Sequence, residues 1–189
     1  MARRRVTSLV GQTELVAAFT LDEIDWRLPD VSGIVGGSGV LVVSIDEARL
    51  LRSWLSERGY VVHDLDFAHP FANILRQVGL MFRWEEEFGY RLEDGDGNLD
   101  AVRDGFEFSA ENRGRTALFI KDADAPDVAR RWLLGLLSIA AEHSKYHLAV
   151  GARFLTILPL CEESDLIGAQ FDQDVVGSPW AMNLPTEAS

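Results

Sequence analysis

Residues 40–67 read VLVVSIDEARLLRSWLSERGYVVHDLDF, and this stretch decides the fold class. Val40 to Ile45 is a run of β-branched and leucine side chains, short enough for a buried strand. Asp46 is placed to cap a helix whose apolar stripe is Ala48, Leu51, Trp54 and Leu55. Glu57 and Arg58 close that helix, and Gly59 suits the position just past its end. Tyr60 to Phe67 then reads as a second strand. A strand, a helix and a strand in this order predict a crossover joining parallel strands.

The same reading extends toward the C-terminus. One long helical stretch is predicted from about Pro70 to Phe88, with Phe71, Ile74, Leu75, Val78 and Phe82 on its buried face. Pro70 suits the first turn, where its missing N–H costs nothing. A polar loop from Arg91 to Gly97 leads to a short helix, Leu99 to Phe108, and a strand, Arg115 to Lys121. A helix from Asp127 to His147 carries Val128, Trp132, Leu136 and Ile139 on one stripe, widened by Leu133 and Leu137. Arg153 to Leu160 is the last strand. The order from residue 40 is β-α-β-α-α-β-α-β, an α/β layer fold with a small, mostly parallel sheet packed by helices.

The flanks are less regular. Residues 1–39 read as an N-terminal extension, with a strand over Leu15–Phe19 and a loop or hairpin from Leu28 to Gly39. The loop assignment rests on Pro29, Gly33, Gly36, Gly37 and Gly39. Residues 40–160 form the main domain. Residues 161–189 mix acids, Gly and Pro with single apolar residues, and are expected to be an irregular tail packed on or near that domain.

Composition narrows the function. The 189 residues are 47% hydrophobic, enough for a real core, and carry a net charge of −12 from 30 acidic and 18 basic side chains. That balance opposes nucleic-acid binding, which needs cations to neutralise phosphates. It suits a cationic partner, or simply solubility. Cys161 is the single cysteine, so no intrachain disulfide forms, as suits a reducing cytoplasm. Glu162 and Glu163 beside it oppose a thiolate, so it reads as a structural thiol. No apolar run reaches signal-peptide or membrane-span length, and a cytoplasmic protein is expected.

Catalytic signatures are weak. The Gly33–Gly39 segment lacks a lysine and precedes a strand, whereas phosphate cradles open onto a helix. His143 and His147 stand four apart on a predicted helix, but no third metal ligand is indicated, so they read as paired surface histidines. His63 and His69 read as packed or surface residues. The loop Glu93–Asn98 lacks the closing glutamate of a calcium-binding hand. No catalytic residue, cofactor or metal is assigned.

The strong anomaly is acidic. Residues 85–111 hold ten acids, among them Glu85, Glu86, Glu87, Glu93 and Asp94, against Arg91 and Arg103 alone, so this window carries −8 of the −12. Within it Leu99, Val102 and Phe106 share one helix face, and Asp100, Asp104 and Glu107 share another. Asn98 is a sensible N-cap, and Asp100 in the first turn is favoured by the helix dipole. Asp104 and Glu107 lie nearer the C-terminal end, where acids are unfavourable. A cationic partner is one way to compensate them.

Phe88-Gly89 followed by Asn98-Leu99-Asp100-Ala101-Val102-Arg103-Asp104 resembles the signature of the barstar family of ribonuclease inhibitors. Leu51 through Trp54 to Gly59-Tyr60-Val61-Val62 and Leu65-Asp66 resembles the family's opening segment. Ala117 to Asp124 resembles its strand ending in Asp-Ala-Asp. The likeness covers roughly residues 46–160. It implies a barstar-like sheet with packed helices, here with an extra N-terminal βα unit, and no catalytic activity. It also implies that an acidic helix plugs a nuclease active site. Asp100 and Asp104 then match the two helix aspartates that face the cationic cleft, and Asn98 the residue that starts the helix. Glu107, Arg103 and Tyr90 complete the expected partner-binding set. The expectation is a non-catalytic, immunity-type inhibitor of a basic protein such as a nuclease or toxin, with no nucleic acid or membrane as partner. A binding or regulatory module with a non-nuclease partner is the alternative. An enzyme or metal-binding protein using the Asp-rich loop is the third reading.

Overall fold

The computed structural model describes residues 17–95, 97–110, 114–124 and 127–179, with backbone only at 107–110 and 127–128. Four strands, β1 (Val40–Val43), β2 (Val61–Asp66), β3 (Arg115–Lys121) and β4 (Arg153–Pro159), form a sheet in the order β1-β4-β3-β2. Each neighbouring pair is parallel, so the sheet expected to be mostly parallel is wholly so. β3 and β4 are central and buried on both faces, which is why Thr116–Ile120 and Phe154–Leu158 are nearly continuous apolar runs.

Side chains alternate across the sheet. Ala117, Phe119, Leu155 and Ile157 join Leu41 and Val43 on one face. That face is covered by α1 (Pro29–Val35) and α2 (Ile45–Glu57). Leu118, Ile120, Phe154 and Leu158 point to the other, under α3 (Phe71–Met81), α5 (Leu99–Ala110) and α6 (Asp127–Ala149). The result is three layers, helix–sheet–helix.

Several expectations are corrected. α1 occupies most of the segment read as a loop or hairpin. Its Pro29 opens the helix, and Gly33 lets it lie against β1: a Cβ there would stand 2.6 Å from Leu41 Cδ2. The glycine serves helix-to-strand approach rather than a turn. Ala17–Phe19 form no strand, and residues 15–16 of the expected strand lie outside the described residues. α2 is capped by Ser44, not Asp46. The strand ends at Val43, and Ser44 has the extended backbone and S-x-x-E spacing of a capping box with Glu47. The long helix expected over 70–88 is two. It breaks at Arg83, whose backbone is left-handed (φ 53), and a five-residue α4 (Trp84–Phe88) follows. The break returns Trp84 to the core beside Gly79.

The tail is packed. Residues 161–179 are turns and a short antiparallel hairpin, β5 (Gln170–Phe171) with β6 (Asp174–Val175), and Leu166, Phe171 and Val176 enter the core. The N-terminal segment is tied by charge. Arg153, 1% exposed, donates to Asp30 Oδ2 at 2.8 Å, Glu23 Oε2 at 2.6 Å and the Ala18 carbonyl, and its guanidinium lies 4.0 Å from the Phe19 ring centroid. Asp30 is fully buried and also accepts from the Tyr60 hydroxyl at 3.0 Å.

Candidate partner-binding face

α5 is set rigidly before it presents anything. The Trp132 indole N–H donates to the Gly97 carbonyl at 2.8 Å, fixing the chain where the helix begins. Asn98 Oδ1 accepts from the Asp100 backbone N–H at 2.9 Å, satisfying one of the free donors of the first turn. Val102 and Phe106 are fully buried, and Leu99 is half-buried. Two helix-interior glycines allow the close packing. A Cβ on Gly105 would lie 2.8 Å from Trp84 and 2.9 Å from Phe82. One on Gly135 of α6 would lie 2.3 Å from Leu99.

Beneath α5 sit His143 and His147, both buried. The surface reading of this pair is therefore corrected. His143 stacks on Phe106, with ring centroids 5.4 Å apart, and its two ring nitrogens have no hydrogen-bond partner among the described residues. His147 Nε2 lies 3.3 Å from the Phe106 carbonyl, a geometry that calls for its protonated nitrogen to donate there. Burial pushes both imidazoles below their ordinary range. For His143 the Glu142 charge opposes this and the Arg103 charge adds to it; for His147 the Phe106 carbonyl opposes it.

The outer side of α5 carries the charge. The Asp100 side chain is 87% exposed. Asp104 is exposed and forms no ion pair among the described residues. Arg103 does not stand free beside them: it reaches across to Glu142 of α6 at 3.3 Å, with Asp100 at 3.9 Å. Glu142 is thus part of this surface, although no spacing pattern in the chain joins it to Arg103. The Glu107 side chain lies outside the described residues. Tyr90, 47% exposed, meets Trp84 edge-on at 6.0 Å, and Trp84 in turn fills the space over Gly105. Tyr90 therefore borders α5 through one shared neighbour. On α4 and the turn after it, Glu85 pairs with Arg91 and Glu86 with Arg83, while Glu87 and Asp94 have no ion-pair partner among the described residues.

Chemically, this face offers carboxylates on a fixed helix to cationic groups brought from outside. Among the described residues no three His, Cys, Asp or Glu side chains gather as a metal ion would need. No described helix is long and apolar enough to cross a membrane. No protein-family model, no curated protein and no solved structure matches the chain.

Proposed function

We propose that this chain is a non-catalytic, cytoplasmic inhibitor of immunity type, built on a barstar-like fold. It binds the cationic active site of a basic partner, a nuclease, through α5. The observation that carries the reading is Asp104: an exposed aspartate, one turn from exposed Asp100, with no cation of this chain to answer it among the described residues. Like charges at this spacing cost an isolated helix a few tenths of a kcal/mol. A cleft built from Arg, Lys and His to hold phosphates would turn that cost into attraction and speed association. The rigid seating of α5 supports the same reading, because a preorganised face loses less entropy on binding.

The test is parallel capture from the source cell with the full chain and with a D100A/D104A chain, followed by a nuclease assay on what is retained. A basic nuclease held by the wild type, lost by the variant and inhibited at equimolar ratio is the expected result. A captured partner without nuclease activity would favour the regulatory-module reading. Equal capture by both chains would remove α5 from the interface.

A further inference from the structure

A second surface lies on the α2 side of the sheet, away from α5. β1 is followed by α2 on one face and β3 by α6 on the other, so the chain leaves these strands in opposite directions. β4, between them, runs into the turns of the tail. In open parallel sheets ligands sit in the crevice at such a point, outside the carboxyl ends of the strands. A half-open cleft of about 430 Å³ occupies that place here. Small-molecule sites span roughly 300–1,000 Å³.

Its charges are segregated by element. Arg49 and Arg52 come from α2 and Lys121 from the end of β3, while Asp122 and Asp124 come from the loop that follows. Arg52 and Lys121 (the latter at 3.0 Å) share one carboxylate oxygen of Asp64, so that group of three keeps a positive charge. Arg49 pairs with Asp46 at 3.3 Å in open solvent, where a pair holds weakly. Asp124 is held by the Ser164 hydroxyl at 2.6 Å. Asp122 has a left-handed backbone (φ 48), a costly conformation for a residue with a side chain. Apolar surface comes from Ile45, 54% exposed, and from Pro159, while the Phe119 ring below is buried under the Arg52 guanidinium, 4.7 Å from its centroid.

We propose that this cleft binds a small zwitterion with an apolar body, of the class of the aromatic α-amino acids. The carboxylate lies toward Arg49, Arg52 and Lys121, the ammonium toward Asp122 and Asp124, and the body against Ile45 and Pro159. A simple anion would leave two aspartates facing it, and a simple cation would face three basic side chains. A ligand with both charges satisfies both sides. This proposal stands apart from the inhibitor reading.

Cys161 lines the cleft, is exposed, and is the single cysteine of the chain. Its alkylation rate therefore reports occupancy. The full chain is alkylated with and without L-phenylalanine, with 3-phenylpropionate and phenethylamine as arms that each lack one charge, and thermal melts run alongside. L-phenylalanine is expected to slow alkylation and raise the melting temperature, and each arm to do so far less at equal concentration. Arg49→Ala is expected to raise the half-protecting concentration about tenfold, as loss of one charge-assisted contact does, with the unliganded melt unchanged. Absence of protection by L-phenylalanine, equal protection by 3-phenylpropionate, or unaltered protection in the Arg49→Ala chain would each overturn the proposal.

Discussion

Replacing Arg153 by methionine removes a cation from a place with almost no water. Its guanidinium is 1% exposed and is spent on Asp30, Glu23, the Ala18 carbonyl and the Phe19 ring. The carboxylate left behind on Asp30 is fully buried. Its remaining donors would be the Tyr60 hydroxyl and the Val31 backbone N–H, both at 3.0 Å and both neutral. Breaking a buried pair from one side costs about 3–5 kcal/mol, chiefly through the uncompensated charge. Whole domains are stable by only about 5–15 kcal/mol. R153M is therefore expected to lose about 3–5 kcal/mol in urea denaturation followed by circular dichroism. Adding D30N removes the orphaned charge, and the double variant is expected to recover about 1–3 kcal/mol of that loss. A loss in R153M below about 1 kcal/mol, or strict additivity in the double variant, would refute the view that this pair holds the N-terminal segment on the sheet.

Gly105→Ala is expected to destabilise by about 1–3 kcal/mol in the same assay, because the new Cβ meets Trp84 and Phe82; a stabilised variant would show that the α4–α5 contact is loose. Ser44→Ala is expected to cost about 1 kcal/mol through the lost cap and Asp46→Ala less than about 0.5, and the reverse order would return the cap to Asp46. The buried histidines set an acid limit. Their folded pKa values lie below 6.5, so the unfolded chain binds protons first. The stability they contribute is full above pH 6.5 and is lost as pH falls toward the depressed folded values. The H143F/H147F chain is expected to flatten a stability profile measured between pH 7 and pH 5, and an unchanged slope would contradict their burial. A lower window belongs to Glu23. Burial pushes it up, but hydrogen bonds from Arg115 and the Thr20 backbone and the nearby guanidinium charges hold it at about 2, so its contribution is lost as pH falls from 4.5 toward 2.

The sheet was legible because β-branched runs and helical stripes carry their own periods. Val40–Val43, Val61–Asp66, Arg115–Lys121 and Arg153–Pro159 all fall inside the expected strands. The exposed positions of Asp100 and Asp104 opposite Val102 and Phe106 follow from the same 3.6-residue period. What was lost depends on partners distant in the chain. Gly33 looked like a turn residue because its neighbour, Leu41, is on a strand packed against it. His143 and His147 looked exposed because nothing local says that Phe106 covers them. Asp30 and Arg153 stand 123 residues apart, and no spacing rule joins them. The break at Arg83 has no Gly or Pro on it, and its one local sign is that the apolar stripe stops at Phe82, with Glu85 and Glu86 next on that face.

The inhibitor reading rests on Asp104, and calorimetric or surface-binding titration of the captured partner with wild type and Asp104→Ala, at two salt concentrations with melts alongside, tests it most directly. Asp104 is exposed and unpaired among the described residues, so the variant's stability is expected to stay within about 0.5 kcal/mol of wild type. Binding is expected to weaken by about 2–5 kcal/mol, a range known from buried interfacial charge pairs, barnase–barstar included. Added salt is expected to slow association of the wild type, since steering is screened over about 8–10 Å. Equal affinities for the two chains would contradict the assignment of α5 as the inhibitory surface, and a large fall in melting temperature would place Asp104 in the fold instead.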